Sequence, residues 1–222
     1  MANAQRTLES SADFTRGSTQ ATPDHDAPER ERTARVEAEQ RRLVEWAEAN
    51  GNLGGQIPPE DASGGEHLVH FDEPSCRYLK ATIPEKQKGY GIALGSFTHG
   101  ATPSEYLDRL ALQNRIFDDD IRLERVVLKN GKPVIVTSQP AIAGSPPTQT
   151  AIDETMAAKG FEQLTSGAYY DAGEGLLIFD LFPKNALQAA DGTIYPFDPV
   201  IQRVTPDFAD FLRQHPSRIH NR

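Results

Sequence analysis

One short segment constrains this chain more than any other, because it places two aspartates and an asparagine around a tight turn. The run Asp180-Leu-Phe-Pro-Lys-Asn185 is followed by the turn Ala190-Asp191-Gly192 and by a strand, residues 193–197, that delivers Asp198. Carboxylate and amide oxygens are ligands that magnesium prefers, and a carboxylate also accepts a proton from a hydroxyl group. Asp, Pro and Asn are equally common turn formers, so the segment alone leaves both interpretations open.

Composition limits the classes of partner. The chain has 222 residues and a net charge of -9, which argues against a nucleic-acid partner held by a basic face. Its single cysteine, Cys76, excludes an internal disulfide framework. Because the sequence has neither an apolar run of the roughly 18 residues that a membrane helix needs nor an apolar signal core, we expect a cytoplasmic protein without a membrane partner.

The amino-terminal part of the chain is predicted to contain a polar tail and a single helix. Residues 1–32 carry few large apolar groups, so they are predicted to be a disordered tail. Residues 33–61 are predicted to contain one helix, which ends at Asn50-Gly51, and after it a glycine-rich segment that leads into the next domain.

The central part of the chain predicts an antiparallel sheet with one packed helix. Strands are expected at residues 66–71 and 77–82, the second of which contains Lys80. The run Thr102-Pro103-Ser104-Glu105 has the pattern of a capping box at the start of a helix that continues to about Phe117. A hairpin around Asn130-Gly131 should follow. The fold class is therefore predicted to be α+β. The acidic run 118–120 could bind a cation, but it is more typical of a solvated helix end.

In this order, the elements resemble the kinase-like domain of polyvalent proteins from phages and conjugative elements. That family is distantly similar to protein kinases and aminoglycoside phosphotransferases. The resemblance covers about residues 62–202 and rests on a few short runs: Gly65-Glu-His-Leu-Val-His-Phe71 with Lys80, Pro103-Ser-Glu-Tyr-Leu107 with Gln113-Asn-Arg-Ile-Phe117, Ile135-Val-Thr-Ser-Gln-Pro140, and residues 180–198. It implies a reduced kinase-like fold in residues 62–222, with a sheet-bearing N-lobe at 62–140 and a small C-lobe at 141–222.

The resemblance also implies a site for ATP and Mg²⁺ in a bacterial, mobile-element phosphotransferase. Asp180 would be the catalytic base, and Asn185 and Asp198 would bind magnesium. Lys80 would contact the α- and β-phosphates, with Glu105 as its ion-pair partner and Asp108 or Gln113 as alternatives. The remaining nucleotide contacts would come from the turn at Gly64 and Gly65 and from the hinge at Ser138 and Gln139.

Some features depart from the family pattern and keep other functions open. Ile178-Phe179, not His-Arg, precedes Asp180, and Pro199-Val200, not Phe-Gly, follows Asp198. Only 24 residues follow Asp198, which implies a reduced second lobe. The acceptor, a protein or a small molecule, is not indicated. A catalytically inactive pseudokinase-like interaction module is one alternative, and an unrelated small α+β binding protein is another.

Overall fold

The chain folds into two compact units. A computed structural model describes residues 2–17, 29–85, 89–94 and 99–220. Of these, the first unit contains residues 2–17, 29–85, 89–93 and 99–141, and the second contains Leu94 and residues 142–220.

Three helices form one layer of the first unit: α1 (Ala2–Arg16), α2 (Glu29–Ala49) and α3 (Pro103–Phe117). Leu8 and Ala12 of α1 are fully buried in a cluster with Leu43 of α2 and Leu107 of α3. The prediction of a disordered tail over residues 1–32 is therefore wrong for residues 2–16 and for residues 29–32, which begin α2, whereas residues 18–28 lie outside the described residues.

The error has a physical cause, because α1 buries small residues. Besides Leu8, its buried stripe consists of Ser11, Ala12 and Thr15, which recur at helical spacing and allow close approach to neighbouring helices. The Ser11 hydroxyl donates a hydrogen bond to the carbonyl of Leu8 at 2.8 Å, so its burial leaves no unsatisfied donor. Phe14, the second large apolar residue that the sequence offers, is exposed.

The second layer is a five-stranded antiparallel sheet. Its strands are β1 (Ala62–Ser63), β2 (His67–Asp72), β3 (Arg77–Thr82), β6 (Arg122–Lys129) and β7 (Lys132–Pro140), and they lie in the order β1-β2-β3-β7-β6. A separate two-stranded ladder joins β4 (Ile92–Ala93) to β5 (His99–Gly100). The hairpin between β6 and β7 turns through Asn130 and Gly131, which both have positive φ as a two-residue turn of this kind requires.

The helix α3 packs on one face of this sheet and starts where the sequence predicts. Thr102 accepts a hydrogen bond from the Glu105 backbone, and the Glu105 carboxylate accepts one from the Thr102 backbone, which completes the capping box. Ile135 of β7 lies in the same apolar cluster as Leu107 of α3. Side chains alternate along a strand, so Thr137 shares this face with Ile135, and so does Lys80, which pairs with Thr137 across the ladder.

The second unit is a smaller α+β assembly. After α4 (Gln149–Ala158), a four-stranded antiparallel sheet has the order β13-β10-β9-β8. Its strands are β8 (Glu162–Thr165), β9 (Ala168–Asp171), β10 (Leu176–Phe179) and β13 (Val200–Arg203). A hairpin of β11 (Ala186–Gln188) and β12 (Ile194–Pro196) lies between β10 and β13 in sequence, and α5 (Pro206–Gln214) and α6 (Ser217–His220) follow.

The fold class is α+β with antiparallel sheets, as predicted, and it is compatible with a reduced kinase-like fold. None of the helices within the described part of the chain is long and apolar enough to span a membrane.

Candidate active site

Asp180 occupies a strained position at the end of β10. Its φ is 62°, a left-handed conformation that residues other than glycine seldom adopt. The next residue, Leu181, is fully buried and its backbone N–H donates to the carbonyl of Gly167 at 3.1 Å. Burial of Leu181 therefore fixes the turn and holds Asp180, which is 9% exposed, in this conformation.

Asn185 is tied to the backbone of Asp180. Its side-chain Nδ2 donates to the carbonyl of Asp180 at 2.8 Å. A short 3₁₀ turn, Pro183–Asn185, brings the two residues together. Among the residues that the structure describes, none donates a hydrogen bond to Oδ1 of Asn185. The amide is therefore oriented through its nitrogen, and its oxygen remains available as a hard ligand.

Asp198 reaches the same end of the sheet through two ladders. The β11–β12 hairpin brings the chain back, and Phe197 N–H donates to the carbonyl of Asn185 at 3.0 Å. Next, β13 pairs antiparallel with β10 so that Val200 lies opposite Phe179. Beyond that pair, Asp180 directly follows Phe179 on one strand, and Asp198 lies two residues before Val200 on the other. Both acids therefore lie at one end of the ladder, together with Asn185.

A polar network supports the candidate loop from α4. Gln149 donates through Nε2 to the Tyr169 hydroxyl and to Asp153 Oδ1, both at 3.0 Å, and it approaches the carbonyl of Leu181 at 3.5 Å. The Tyr169 hydroxyl donates to the same Asp153 oxygen at 2.5 Å. Burial of the tyrosine, and then the neighbouring carboxylate, raise the pKa of Tyr169 well above its ordinary value, so it acts as a neutral donor.

The residues present are suitable for a magnesium ion. The described residues contain no group of three or more His, Cys, Asp or Glu that could hold a metal by themselves. The predicted set does not need such a group, since it combines one carboxylate, Asp198, with the oriented amide oxygen of Asn185. Magnesium commonly takes one or two protein ligands of this kind and completes its octahedron with water and phosphate oxygens.

Lys80 lies in the first unit, on the third strand of the five-stranded sheet and on its α3 face. Its ammonium donates to Oε1 of Gln139 on the neighbouring strand at 3.1 Å. Lys80 belongs to the first unit, whereas Asp180, Asn185 and Asp198 belong to the second. The convergence of these four residues on one nucleotide therefore stays a prediction.

The predicted pairing of Lys80 with Glu105 is wrong in this structure. Glu105 lies at the start of α3, where its carboxylate completes the capping box and forms ion pairs with Arg35 at 3.5 Å and Arg32 at 3.7 Å. Both arginines belong to α2. The sequence patterns gave no sign that this helix contacts α3. Of the two alternatives, Asp108 forms an ion pair with Arg16 of α1, and Gln113 contacts a different carboxylate.

That carboxylate is Asp119, which the sequence analysis assigned to a solvated helix end. Asp119 is only 4% exposed. Its Oδ2 accepts hydrogen bonds from Gln113 Nε2 at 2.9 Å and from Gln139 Nε2 at 2.6 Å, and its Oδ1 accepts one from the Asp120 backbone. Burial raises the pKa of Asp119, and these hydrogen bonds and the positive charge of Lys80 oppose the rise.

No sequence signal distinguished Asp119 from its neighbours. The sequence alone does not distinguish three consecutive aspartates. In the structure, Asp118 caps α3 in a left-handed conformation, and Asp120 forms ion pairs with Arg77 and Arg122. Only the middle carboxylate turns inward.

Two of the residues predicted to contact the nucleotide are the glycines of a turn. Gly64 and Gly65 form the turn between β1 and β2, and a Cβ at either position would meet nothing within 4 Å. The turn is anchored at Glu66, which pairs with buried Arg109 of α3 at 2.9 Å. A glycine turn between the first two strands fits a backbone approach to phosphate, and this role stays a prediction.

Ser138 does not lie at a strand exit, because β7 continues to Pro140. It is paired to Leu79 on one side and to Arg122 on the other, and its carbonyl accepts a hydrogen bond from Arg77 at 3.2 Å. The expectation that its backbone binds adenine is therefore not supported. Gln139, also predicted as a hinge residue, uses its side chain for Lys80 and Asp119.

Comparison with models of known protein families identifies the family of this chain. A model of the family described as Serine/Threonine/Tyrosine Kinase found in polyvalent proteins matches residues 36–205, more than half of the chain. The chain belongs to this family. No curated protein and no solved structure matches the chain significantly.

The extent of the match places part of α2 within the polyvalent-protein kinase domain. The matched segment begins at residue 36, inside α2, whereas the resemblance in the sequence analysis begins only at about residue 62. Both candidate sites, around Asp180 and around Lys80, lie inside it. The chain is therefore a kinase-like protein, and nucleotide and metal use is the chemistry that this membership suggests.

Proposed function

We propose that this chain is an ATP- and magnesium-dependent phosphotransferase. The observation that carries the proposal is the arrangement of Asp180, Asn185 and Asp198 at one end of the β10–β13 ladder, within a chain of a kinase family. Asp180, the Asn185 amide that is bonded to the Asp180 backbone, and the second acid, Asp198, are the residue types that supply the base and the metal ligands in phosphoryl transfer.

Each residue has a separate task in this proposal. Asp180 orients the acceptor hydroxyl and takes its proton as the oxygen bonds to the γ-phosphorus and the bond to the β-phosphate oxygen breaks. Asn185 and Asp198 would hold the magnesium, which would supply positive charge to neutralise the phosphates. Lys80 neutralises the α- and β-phosphates. The acceptor is a protein or small molecule. The proposal includes an origin in a bacterial mobile genetic element, as the family resemblance implies, and a location in the cytoplasm, as the sequence composition suggests.

Magnesium-dependent stabilisation by a non-hydrolysed ATP analogue tests nucleotide binding. A ligand that binds only the folded state raises the unfolding temperature by mass action, so we expect a rise with analogue and magnesium together and a smaller one with analogue and EDTA. No shift in either condition at millimolar analogue would contradict the proposal.

Asp198→Ala tests the metal site. We expect calorimetry to show that this variant loses the magnesium dependence of nucleotide binding while it remains folded. Asp207→Ala is the matched control, because Asp207 is an exposed carboxylate of the same unit in the first turn of α5. Equal binding by wild type and Asp198→Ala would remove Asp198 from the metal site.

A further inference from the structure

The first unit contains a buried carboxylate that the proposed chemistry does not use. Asp119 is almost completely buried, and four groups converge on it: Gln113 from α3, Gln139 from β7, the backbone of Asp120, and the charge of Lys80 from β3. Burial of a carboxylate is costly unless it is compensated by hydrogen bonds or by an opposite charge. Because groups from α3, β7 and β3 converge on Asp119, we infer that this residue does more than end a helix.

Gln139 links this carboxylate directly to Lys80. Its Nε2 donates to Asp119 at 2.6 Å while its Oε1 accepts from the Lys80 ammonium at 3.1 Å. The carboxylate fixes which end of the amide faces Lys80, since an acidic acceptor requires the amide nitrogen. The oxygen of Gln139 is consequently presented to Lys80, and the ammonium is held on the α3 face of the sheet.

We propose that Asp119 is the residue that positions Lys80, acting through Gln139 and taking over the task that Glu105 does not perform. Glu105 holds α3 to α2 through Arg32 and Arg35, so the helix carboxylate at the start of α3 is committed to structure. The carboxylate that serves Lys80 comes instead from the residues immediately after α3. The consequence for nucleotide binding rests on the proposed function, whereas the effect on Lys80 itself does not.

The reactivity of Lys80 tests this assignment without a nucleotide. Competitive acetylation by acetic anhydride, read by peptide mass, reports the relative rate at each lysine. We expect Asp119→Asn to raise the Lys80 rate severalfold, because the ammonium loses the nearby negative charge of Asp119 and Gln139 loses the acceptor that orients it. Exposed Lys129 serves as the internal reference in the same sample.

Two further variants complete the test. Gln139→Leu should raise the Lys80 rate as Asp119→Asn does, and the double variant should exceed neither single variant, because both break one connected chain. Glu105→Gln should leave the rate unchanged. If Asp119→Asn does not fold, Gln139→Leu still decides. An unchanged rate in Gln139→Leu, or a larger rise in Glu105→Gln than in Asp119→Asn, would overturn the assignment.

Nucleotide binding gives the second readout. In Asp119→Asn we expect affinity for the ATP analogue to fall by about tenfold or more, the usual size of a lost charge-assisted contact, with adenosine affinity unchanged. Equal loss for ATP analogue and adenosine would indicate a general structural defect and overturn the positioning role. A wild-type protein that binds no nucleotide would contradict the proposed function alone, and the acetylation result would still decide the role of Asp119.

Discussion

At the scale of single residues, the backbone of Asp180 makes a clean test of catalysis possible. Its φ of 62° suits asparagine, which tolerates the left-handed region better than most residues. Asp180→Asn should therefore preserve the loop and remove only the carboxylate.

We expect Asp180→Asn to bind the ATP analogue nearly as wild type does and to lower phosphoryl transfer by roughly a hundredfold to ten-thousandfold, the usual cost of losing a general base. Autophosphorylation with labelled ATP is the measurement. Equal transfer by both proteins would show that Asp180 is not the base. Binding without transfer in either protein would favour the inactive, pseudokinase-like alternative.

A second residue-scale prediction concerns pH. Burial raises the folded-state pKa of Asp119 above its ordinary value of 3.8. The protonated form is thus favoured by folding, so its contribution to stability is present below pH 3.8 and is lost as the pH rises through the raised value. Asp119→Asn lacks this loss. Urea unfolding between pH 4 and 7 should show the stability of the variant relative to wild type increasing with pH, and a constant difference would contradict the burial effect.

At the scale of elements, the turn between β8 and β9 supports the candidate loop. Gly167 has φ of 70°, its carbonyl accepts from Leu181, and a Cβ there would lie 2.7 Å from the ring of Phe182. The turn and the candidate loop therefore pack too closely for a side chain at Gly167, and no sequence motif predicts this contact.

Gly167→Ala should disturb the loop through that contact. Gly160 is the matched control, since it also has positive φ, 87°, but a Cβ there would meet no atom within 4 Å. In both variants, backbone strain should lower the free energy of unfolding by about 1–2 kcal/mol. Gly167→Ala should lower it further, because of the contact with Phe182, and should also weaken magnesium-dependent nucleotide binding. Equal effects of the two substitutions on stability and binding would show that the contact with Phe182 is unimportant.

The packing of α1 gives the second element-scale prediction. Leu8 is fully buried between helices, so Leu8→Ala should lower the free energy of unfolding by about 2–5 kcal/mol. Phe14→Ala on the exposed side of the same helix should change it by only about 0.5 kcal/mol or less. Chemical denaturation measures both, and equal values would mean that α1 does not pack as described.

At the scale of the whole molecule, sequence patterns predicted what is encoded locally. The capping box at Thr102, the Asn130-Gly131 hairpin and the glycine turn before β2 depend on residues that are adjacent in sequence, and they were found. The α+β class followed from them. The segment at 180–198 was recognisable because its chemistry requires particular residue types at short spacing.

The remaining errors came from contacts between distant parts of the chain. The burial of Asp119, the engagement of Glu105 by α2 and the folding of α1 each depend on partners that are far away in sequence. Small residues such as Ala12 carry almost no hydrophobic signal, although they are buried where helices approach closely. Carboxylates give no sign of whether they will turn inward, because this depends on which donors surround them.

The pairing of Phe179 with Val200 has a consequence for how relatives of this chain are to be found. The ladder closes the base of the excursion that runs from Asp180 to Asp198, so the distance between the two acids is set at its closed end. Residues added to or removed from the tip near Gly192 change the count between the acids without moving them. A search that demands a constant interval between them will therefore miss distant homologues, whereas one that anchors each acid to the boundary of its own strand will retain them.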